Sequence, residues 1–293
     1  MQLYLDRFLK RNHRRKTCRI LKDPVLQKNL ERQGYVTTPL LTADQIETLS
    51  DLYEELRPLH ETIGAPIYST TDTNNEGLIR QVDKAIKNLI SNSVDRLFCQ
   101  YRVFIGSYLI KEPGENSGVY PHQDWTLVDE SRYVSLSIWC PLIDVDESNG
   151  ALQVIPGTQS VITPVRTSPD ETFRSPFDES VHEVFHEYLQ TVPLKAGEAV
   201  IYDHALIHAS TPNRSQALRP AFVLGVLPNE AENFMHYKPD SDGKPMIEKY
   251  LVDNEFFMTY TKNNRPTNVR LLKIFEESED QINLNQFLRI INR

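Results

Sequence analysis

The chain has 293 residues, of which 40% are hydrophobic and 25% are charged, so its composition is that of a globular protein rather than a disordered or fibrous one. The sequence contains no run of about 18 apolar residues, so no membrane span is predicted, and the first residues lack the apolar segment of a secretory signal. The net charge of −8 argues against nucleic acid as a partner.

Basic residues crowd the start of the chain, from Arg7 to Lys22. This pattern is typical of a solvated helix face, and its alternative interpretation is a patch that binds an anion or a partner. The three cysteines form no Cys-x-x-Cys pair, which argues against a disulfide framework and against a zinc-thiolate site. We therefore expect a reducing, cytoplasmic setting.

The first third of the sequence predicts helices around one short strand. We expect a polar helix over residues 1–33, a strand at Tyr35–Thr38 and, after a capping box at Thr42–Gln45, an amphipathic helix over 43–57 that ends at Pro58. Residues 61–80 read as a loop and residues 81–98 as a helix.

From residue 101 the pattern changes to short β-rich runs separated by Pro and Gly, which predicts a sandwich or barrel. A Pro- and Ser-rich stretch, Thr163–Asp178, is too long for a hairpin and suggests a lid near a site. Leu284, Phe287, Leu288 and Ile291 predict a C-terminal amphipathic helix. The predicted strands are Tyr101–Lys111, Tyr133–Leu142, Ala151–Ile155, Glu198–Tyr202 and Ala221–Leu227.

Two side chains in the segment Val119–Trp125 are candidate metal ligands. His122 and Asp124 are two residues apart, so on an extended segment both point to one face and can reach the same metal ion. The pair alone is a weak signal and requires a third ligand. His208 is the candidate, because two histidines and one carboxylate form the facial triad of non-haem Fe(II) oxygenases.

An arginine is predicted close to this cluster. If the chain from 200 to 227 forms a hairpin centred between Asn213 and Arg214, His208 and Arg219 lie opposite each other on one face. A guanidinium binds a carboxylate through two parallel hydrogen bonds. This arrangement suits 2-oxoglutarate, whose 2-oxo acid end can chelate iron while its far carboxylate reaches the arginine.

Four motifs in this order resemble the phytanoyl-CoA dioxygenase family, of which ectoine hydroxylase is a relative. They are the strand and capped helix between Gly34 and Leu56, the run His122–Trp125, the run Ser148–Thr158 and the segment His208–Arg219. The resemblance covers roughly residues 30–230. It implies a mainly β protein with flanking helices, folded as a double-stranded β-helix (a cupin-like jelly roll).

The resemblance also implies the cofactors and their ligands. Fe(II) would be held by His122, Asp124 and His208, and 2-oxoglutarate by Arg219, with ascorbate able to support activity. Trp139 matches a position that lines the co-substrate pocket in relatives. Because halogenating relatives lack the carboxylate ligand, the presence of Asp124 favours hydroxylation over halogenation.

The expected protein is thus a single Fe(II)- and 2-oxoglutarate-dependent dioxygenase domain over residues 1–293. We expect a helical part over 1–100, a jelly-roll core over about 101–230 and a helical extension over 231–293. It would use O₂ to hydroxylate an unactivated C–H bond of a small metabolite, amino-acid-like or acyl substrate, with release of succinate and CO₂, as a monomer or homodimer. The alternatives are a non-catalytic jelly-roll binding module and a metal-dependent hydrolase.

Several nearby side chains compete for these roles or frame the site. His204 is the rival of His208, and Arg214 is the rival of Arg219, although its place at the turn tip predicts exposure to solvent. Gln123 and Trp125 are weaker candidates for substrate contact. His182 and His186 are spaced i, i+4, which is typical of a pair on a helix surface.

Overall fold

The computed structural model describes residues 19–60, 64–160, 165–168, 177–240, 244–277 and 281–292. Most of the basic cluster, Cys18 and most of the expected lid stretch lie outside these residues. The expected helix over 1–33 can therefore be examined only from residue 19 onwards, and there the prediction is too long: residues 19–23 are not helical, and the helix begins at Pro24 with Asp23 capping its first turn.

The described chain contains the following helices and strands, each group given in chain order. The helices are α1 (Pro24–Gln33), α2 (Ala43–His60), α3 (Glu76–Leu97), α4 (Glu179–His182), α5 (Phe185–Tyr188), α6 (Asn254–Thr259) and α7 (Leu284–Ile291). The strands are β1 (Tyr35–Pro39), β2 (Ile67–Ser69), β3 (Tyr101–Lys111), β4 (Val119–His122), β5 (Leu136–Pro141), β6 (Leu152–Val154), β7 (Gln190–Val192), β8 (Glu198–Asp203), β9 (His208–Ser210), β10 (Arg219–Pro228), β11 (Asn233–Tyr237), β12 (Met246–Val252) and β13 (Arg270–Glu276).

Two antiparallel sheets form the centre of the molecule. The larger sheet has the order β1-β8-β5-β10-β3-β2, and the smaller sheet has the order β4-β9-β6-β7. Neighbouring strands in both sheets are far apart in sequence, as in a double-stranded β-helix. The predicted mainly β fold with flanking helices is confirmed.

The core is divided by the larger sheet. On one side, apolar residues of both sheets pack together, among them Trp139, Val154 and Val200. On the other side, the sheet packs against α2 and α3 through residues such as Leu49 and Ile86. The inner strands β5, β8 and β10 of the larger sheet are therefore buried on both faces, which explains their almost continuous apolar sequence.

The predictions for residues 35–98 hold with two corrections. The capping box at Thr42 and Gln45 is present, with reciprocal bonds between each backbone N–H and the other side chain. Pro58 lies inside α2 rather than ending it, because a proline two residues before the helix end removes only one hydrogen bond. The predicted loop over 61–80 contains β2 and the start of α3.

The expected helical extension over 231–293 is wrong in its larger part. Strands β11, β12 and β13 form a separate three-stranded antiparallel sheet there. The predicted C-terminal helix is present as α7, whose Phe287 packs against the rings of Phe177, Phe185 and Tyr188. The prediction that His182 and His186 lie on the surface of one helix is also wrong, because the two residues belong to separate short helices, α4 and α5.

Within the described ranges, no helix combines the length and the apolar character that crossing a bilayer requires.

Candidate metal and co-substrate site

Three side chains converge at one end of the smaller sheet. His122 ends β4, Asp124 follows two residues later, and His208 begins β9 directly opposite His122 in the antiparallel ladder. The potential ligand atoms of these three residues all lie within 4.8 Å of one another. The structure therefore brings together the three residues that the sequence nominated as metal ligands.

Backbone carbonyls fix the orientation of both imidazoles. Nδ1 of His122 lies 2.9 Å from the carbonyl oxygen of Tyr120, and Nδ1 of His208 lies 3.0 Å from that of Leu206. A carbonyl oxygen only accepts, so each Nδ1 carries the proton and each Nε2 keeps a free lone pair. The two Nε2 atoms lie 4.0 and 3.7 Å from the Asp124 carboxylate, on the side where a metal ion would bind both rings.

The protonation states of the cluster also suit metal binding. Burial, reinforced by the neighbouring His122, lowers the pKa of the His208 imidazole to about 4. Burial alone would raise the pKa of the Asp124 carboxyl, but the neighbouring histidines and Arg166 hold it below its ordinary value. Near neutral pH the site thus offers a neutral imidazole at His208 and a carboxylate at Asp124.

His204, the rival of His208, stands outside this cluster of three. Its Nε2 lies 2.9 Å from the hydroxyl of Ser137, and its carbonyl oxygen accepts a hydrogen bond from the backbone N–H of Asp124. His204 therefore anchors the segment that carries Asp124. The structure favours His208 as the third ligand.

Arg219 is almost completely buried at the start of β10, at 1% exposure. Its guanidinium carbon lies 5.2 Å from the centre of the Trp139 ring, and Nη1 donates to the carbonyl oxygen of Leu109. Its Nε has no hydrogen-bond partner. Burial lowers the pKa of the guanidinium to about 9, so Arg219 is a buried cation with donor capacity to spare.

The predicted hairpin that would place His208 opposite Arg219 is wrong. Strand β9 pairs with β4 and β6, whereas β10 pairs with β3 and β5, so the two residues lie on different sheets. The sandwich of the two sheets, rather than a shared ladder, relates them. Arg214 is exposed, as predicted, and forms an ion pair of 2.8 Å with Glu115.

Gln123 and Trp125 point away from the three candidate ligands. The side-chain amide of Gln123 donates to the carbonyl oxygen of Ala205, and the residue is buried. Trp125 is half-buried in the cluster that contains the C-terminal sheet, and its ring packs edge-on against Tyr260. A substrate role for either residue stays a prediction.

Sequence reasoning missed a buried ion pair that supports the segment carrying the candidate ligand Asp124. Arg166 donates through Nε to the carbonyl oxygen of Asp124, and its two terminal nitrogens pair with both carboxylate oxygens of Glu130. Arg166 also exchanges hydrogen bonds with Thr126. No sequence signal joins residues some 40 positions apart, so this contact was open only to the structure.

The sequence is similar to those of curated phytanoyl-CoA dioxygenase proteins. The chain is 30% identical over 160 residues to phytanoyl-CoA dioxygenase 1 of Oryza sativa subsp. japonica, covering 52% of this chain and 56% of that protein. It is 30% identical over 131 residues to phytanoyl-CoA dioxygenase domain-containing protein 1 of Danio rerio, covering 42% and 44%. The matches thus span about half the length of these curated relatives.

Two solved structures share the fold at low sequence identity. The epimerase SnoN, in complex with Fe³⁺, alpha ketoglutarate and nogalamycin RO, is 18% identical with a TM-score of 0.51, over 83% of this chain and 92% of that one. AviO1 from Streptomyces viridochromogenes Tue57 is 20% identical with a TM-score of 0.51, over 71% and 95%. At these identities the likeness concerns the fold.

The family itself follows from the sequence. The model of the family described as phytanoyl-CoA dioxygenase (PhyH) matches residues 30–221, about two thirds of the chain, and includes all three candidate ligands and Arg219. The chain belongs to the phytanoyl-CoA dioxygenase family.

Proposed function

We propose that this protein is an Fe(II)- and 2-oxoglutarate-dependent dioxygenase that hydroxylates a small metabolite, amino-acid-like or acyl substrate. One observation carries the proposal: His122, Asp124 and His208 converge on one point, and a buried arginine with an unpartnered Nε lies in the same sandwich. Neither feature alone would suggest this chemistry, but together they match an iron site and a carboxylate site.

The three donor groups fit iron. Two imidazoles and one carboxylate form the facial triad, which leaves open coordination positions for a chelating co-substrate and O₂. The Nδ1–carbonyl bonds of His122 and His208 hold both rings in the orientation that a metal requires. A cluster of this composition also binds other divalent metals, so the arginine is needed to favour oxygenase chemistry over hydrolysis.

Arg219 fits the far carboxylate of 2-oxoglutarate. Its Nε is buried without a partner, and leaving a buried donor unpaired costs about 1–3 kcal/mol. A carboxylate would satisfy this donor and neutralise the buried charge at the same time. The Trp139 ring against the guanidinium limits the directions in which the arginine can move.

When bound, iron and 2-oxoglutarate supply O₂ activation coupled to oxidative decarboxylation, which yields succinate and CO₂. The protein's own residues perform the tasks of binding and exclusion. His122, Asp124 and His208 fix the metal, and Arg219 orients the co-substrate. The ring of Tyr202, whose centre is 4.7 Å from that of His208, lies beside the metal site and helps to exclude water.

The decisive experiment follows 2-oxoglutarate consumption. The purified protein, loaded anaerobically with Fe(II) and supplied with ascorbate, is exposed to O₂ with and without a panel of small metabolites. We expect slow succinate formation alone and faster formation with a true substrate, whose product gains one oxygen atom from ¹⁸O₂. A product of unchanged oxygen content would instead indicate an epimerase or a cyclase.

Two results would favour the alternatives. Turnover of a hydrolysable substrate by the Zn²⁺-loaded protein without 2-oxoglutarate would indicate a hydrolase, and failure to bind 2-oxoglutarate with any metal would indicate a binding module. We also propose that the protein forms one domain, is located in the cytoplasm and is active as a monomer or homodimer. Its oligomeric state can be measured by light scattering.

A further inference from the structure

A lysine that plays no part in the site so far lies directly beside Arg219. Lys111 ends β3 and is the direct partner of Arg219 in the antiparallel β3–β10 ladder. Side chains of such a pair point to the same face of the sheet. Lys111 is fully buried, at 0% exposure, so the structure holds two cationic side chains next to each other in its interior.

In the described part of the chain, the hydrogen-bond partners of the Lys111 ammonium are neutral. Its Nζ donates to the hydroxyl of Ser210 at 2.6 Å and to the carbonyl oxygen of Thr211 at 2.5 Å. Among the described residues, no carboxylate forms an ion pair with Lys111 or with Arg219. Burial and the neighbouring charge of Arg219 lower the pKa of Lys111 to about 7.

Two adjacent buried cations without an anion are costly, because desolvation and mutual repulsion both act against them. Two residues next to Lys111 also have unpaired polar atoms: the Nε of Arg219 and the Oγ1 of Thr211 are buried without hydrogen-bond partners. An anion that entered here would neutralise charge and satisfy donors together. The arrangement is thus complementary to a negatively charged group that the chain itself does not provide.

Lys111 also links Arg219 to the strand that carries the candidate metal ligand His208. Ser210 follows His208 by two residues on β9, so its side chain and that of His208 point to the same face. Gly150 leaves room for the lysine stem, since a Cβ there would lie 2.6 Å from Cδ of Lys111, and its φ of +92° favours glycine independently. The lysine therefore spans from the β9 strand to Arg219.

We propose that Lys111 is a second cation of the co-substrate site, which acts with Arg219 to hold the far carboxylate of 2-oxoglutarate. This inference rests on the proposed function. It assigns a residue that binds co-substrate rather than metal. Lys111 and Arg219 thus act on the carboxylate that distinguishes 2-oxoglutarate from 2-oxo acids with neutral tails.

The test compares two ligands on matched variants. Binding of 2-oxoglutarate and of 2-oxopentanoate, which has the same chain length but lacks the far carboxylate, is measured by calorimetry on the Mn²⁺-loaded protein. Lys111→Met should weaken 2-oxoglutarate binding about 30- to 100-fold, at the lower end of the range for loss of one partner from a buried charge pair. Binding of 2-oxopentanoate should change less than about 2-fold.

Two further variants control for misfolding of Lys111→Met and for the general effect of replacing a lysine. Lys111→Gln keeps a hydrogen-bond donor for Ser210 and Thr211 but removes the charge, and it should show the same selective loss if the methionine variant does not fold. Lys195→Met is the matched control, because Lys195 is an exposed lysine that pairs with Asp144. It should bind both ligands like the wild type.

Each other outcome has a distinct meaning. Equal losses for both ligands would assign Lys111 a structural role and overturn the inference. Unchanged 2-oxoglutarate binding in both Lys111 variants would overturn it as well, while leaving the proposed function intact. If the Mn²⁺-loaded wild type itself does not bind 2-oxoglutarate, the proposed function fails and the inference fails with it.

Discussion

His122 and His208 face each other across the β4–β9 ladder, with their imidazole centres 4.3 Å apart. These residues are 86 positions apart in sequence, and pairing of two short strands sets their separation. The Asp124 carboxylate completes the cluster from the segment that follows β4. The position of the proposed metal therefore depends on correct register between β4 and β9.

Removal of any one of the three candidate ligands should abolish turnover. His122→Ala, Asp124→Ala and His208→Ala each delete one of three metal donors, and we expect more than the roughly 10- to 100-fold loss of metal affinity that follows loss of an outer hydrogen-bond partner. Fe(II) or Mn²⁺ titration of the folded variants measures this effect. Undiminished stoichiometric binding by His208→Ala would transfer the ligand role to His204.

Replacement of Arg219 should affect the co-substrate and spare the metal. Arg219→Leu should weaken 2-oxoglutarate binding roughly 30- to 5000-fold, since loss of one partner of a buried charge pair costs roughly 2–5 kcal/mol. Arg219→Lys keeps the charge but loses the planar fork, so we also expect a large loss. Arg214→Leu is the control, because Arg214 is exposed and pairs with Glu115.

Calorimetry on the Mn²⁺-loaded Arg219 and Arg214 variants measures their affinity for 2-oxoglutarate. A critical Arg214 together with a dispensable Arg219 would contradict the assignment. If neither variant changes the affinity, 2-oxoglutarate does not bind as proposed.

Removing one partner of the buried ion pair of Arg166 and Glu130 should destabilise the protein more than removing both. Arg166→Met leaves the Glu130 carboxylate buried without its partner, and such a change costs about 3–5 kcal/mol of unfolding free energy. Urea unfolding measures this loss. The double variant Arg166→Met, Glu130→Leu should recover a large part of it, because no charge remains buried.

A surface ion pair provides the control for this prediction. The Arg80 side chain is 41% exposed and pairs with Glu76 and Glu255, so Arg80→Met should change the unfolding free energy very little. Equal losses for Arg80→Met and Arg166→Met would mean that burial of the Arg166 pair has no special effect. A double variant less stable than Arg166→Met would point to lost packing instead.

Stability should fall in acid partly because of His236. Burial lowers the pKa of His236 from 6.5 to about 4, while its Nδ1 donates to the carbonyl oxygen of Thr126. Between these values the unfolded chain binds more protons than the folded one, so the unfolding free energy decreases as the pH falls from 6.5 towards 4. This one residue should account for roughly 3 kcal/mol of the decrease, at 1.36 kcal/mol per pKa unit.

The difference between the wild type and His236→Gln isolates this contribution. Chemical unfolding at several pH values between 4 and 8 should give a flatter profile for the variant. The exposed His186 provides the control, since His186→Gln should leave the wild-type profile unchanged. Parallel profiles for the wild type and His236→Gln would show that His236 does not titrate as expected.

Local patterns in the sequence determined many of the elements that build this molecule. The predicted bounds of β3 agree with the structure at both ends, and the capping box of Thr42 and Gln45 begins α2 as predicted. These features depend on neighbours in sequence, such as side-chain alternation or a hydroxyl three residues from an amide. The spacing of His122 and Asp124 belongs to the same class.

Relationships between distant residues were decided only by the tertiary structure. The sequence nominated Arg219 through a hairpin that does not exist, and the structure places the residue on the opposite sheet from His208. The contact of Lys111 with Ser210 and the bond of Arg166 to Asp124 have no trace in local sequence pattern. Strand pairing and sheet packing are non-local, so residue spacing along the chain does not encode which buried charges meet.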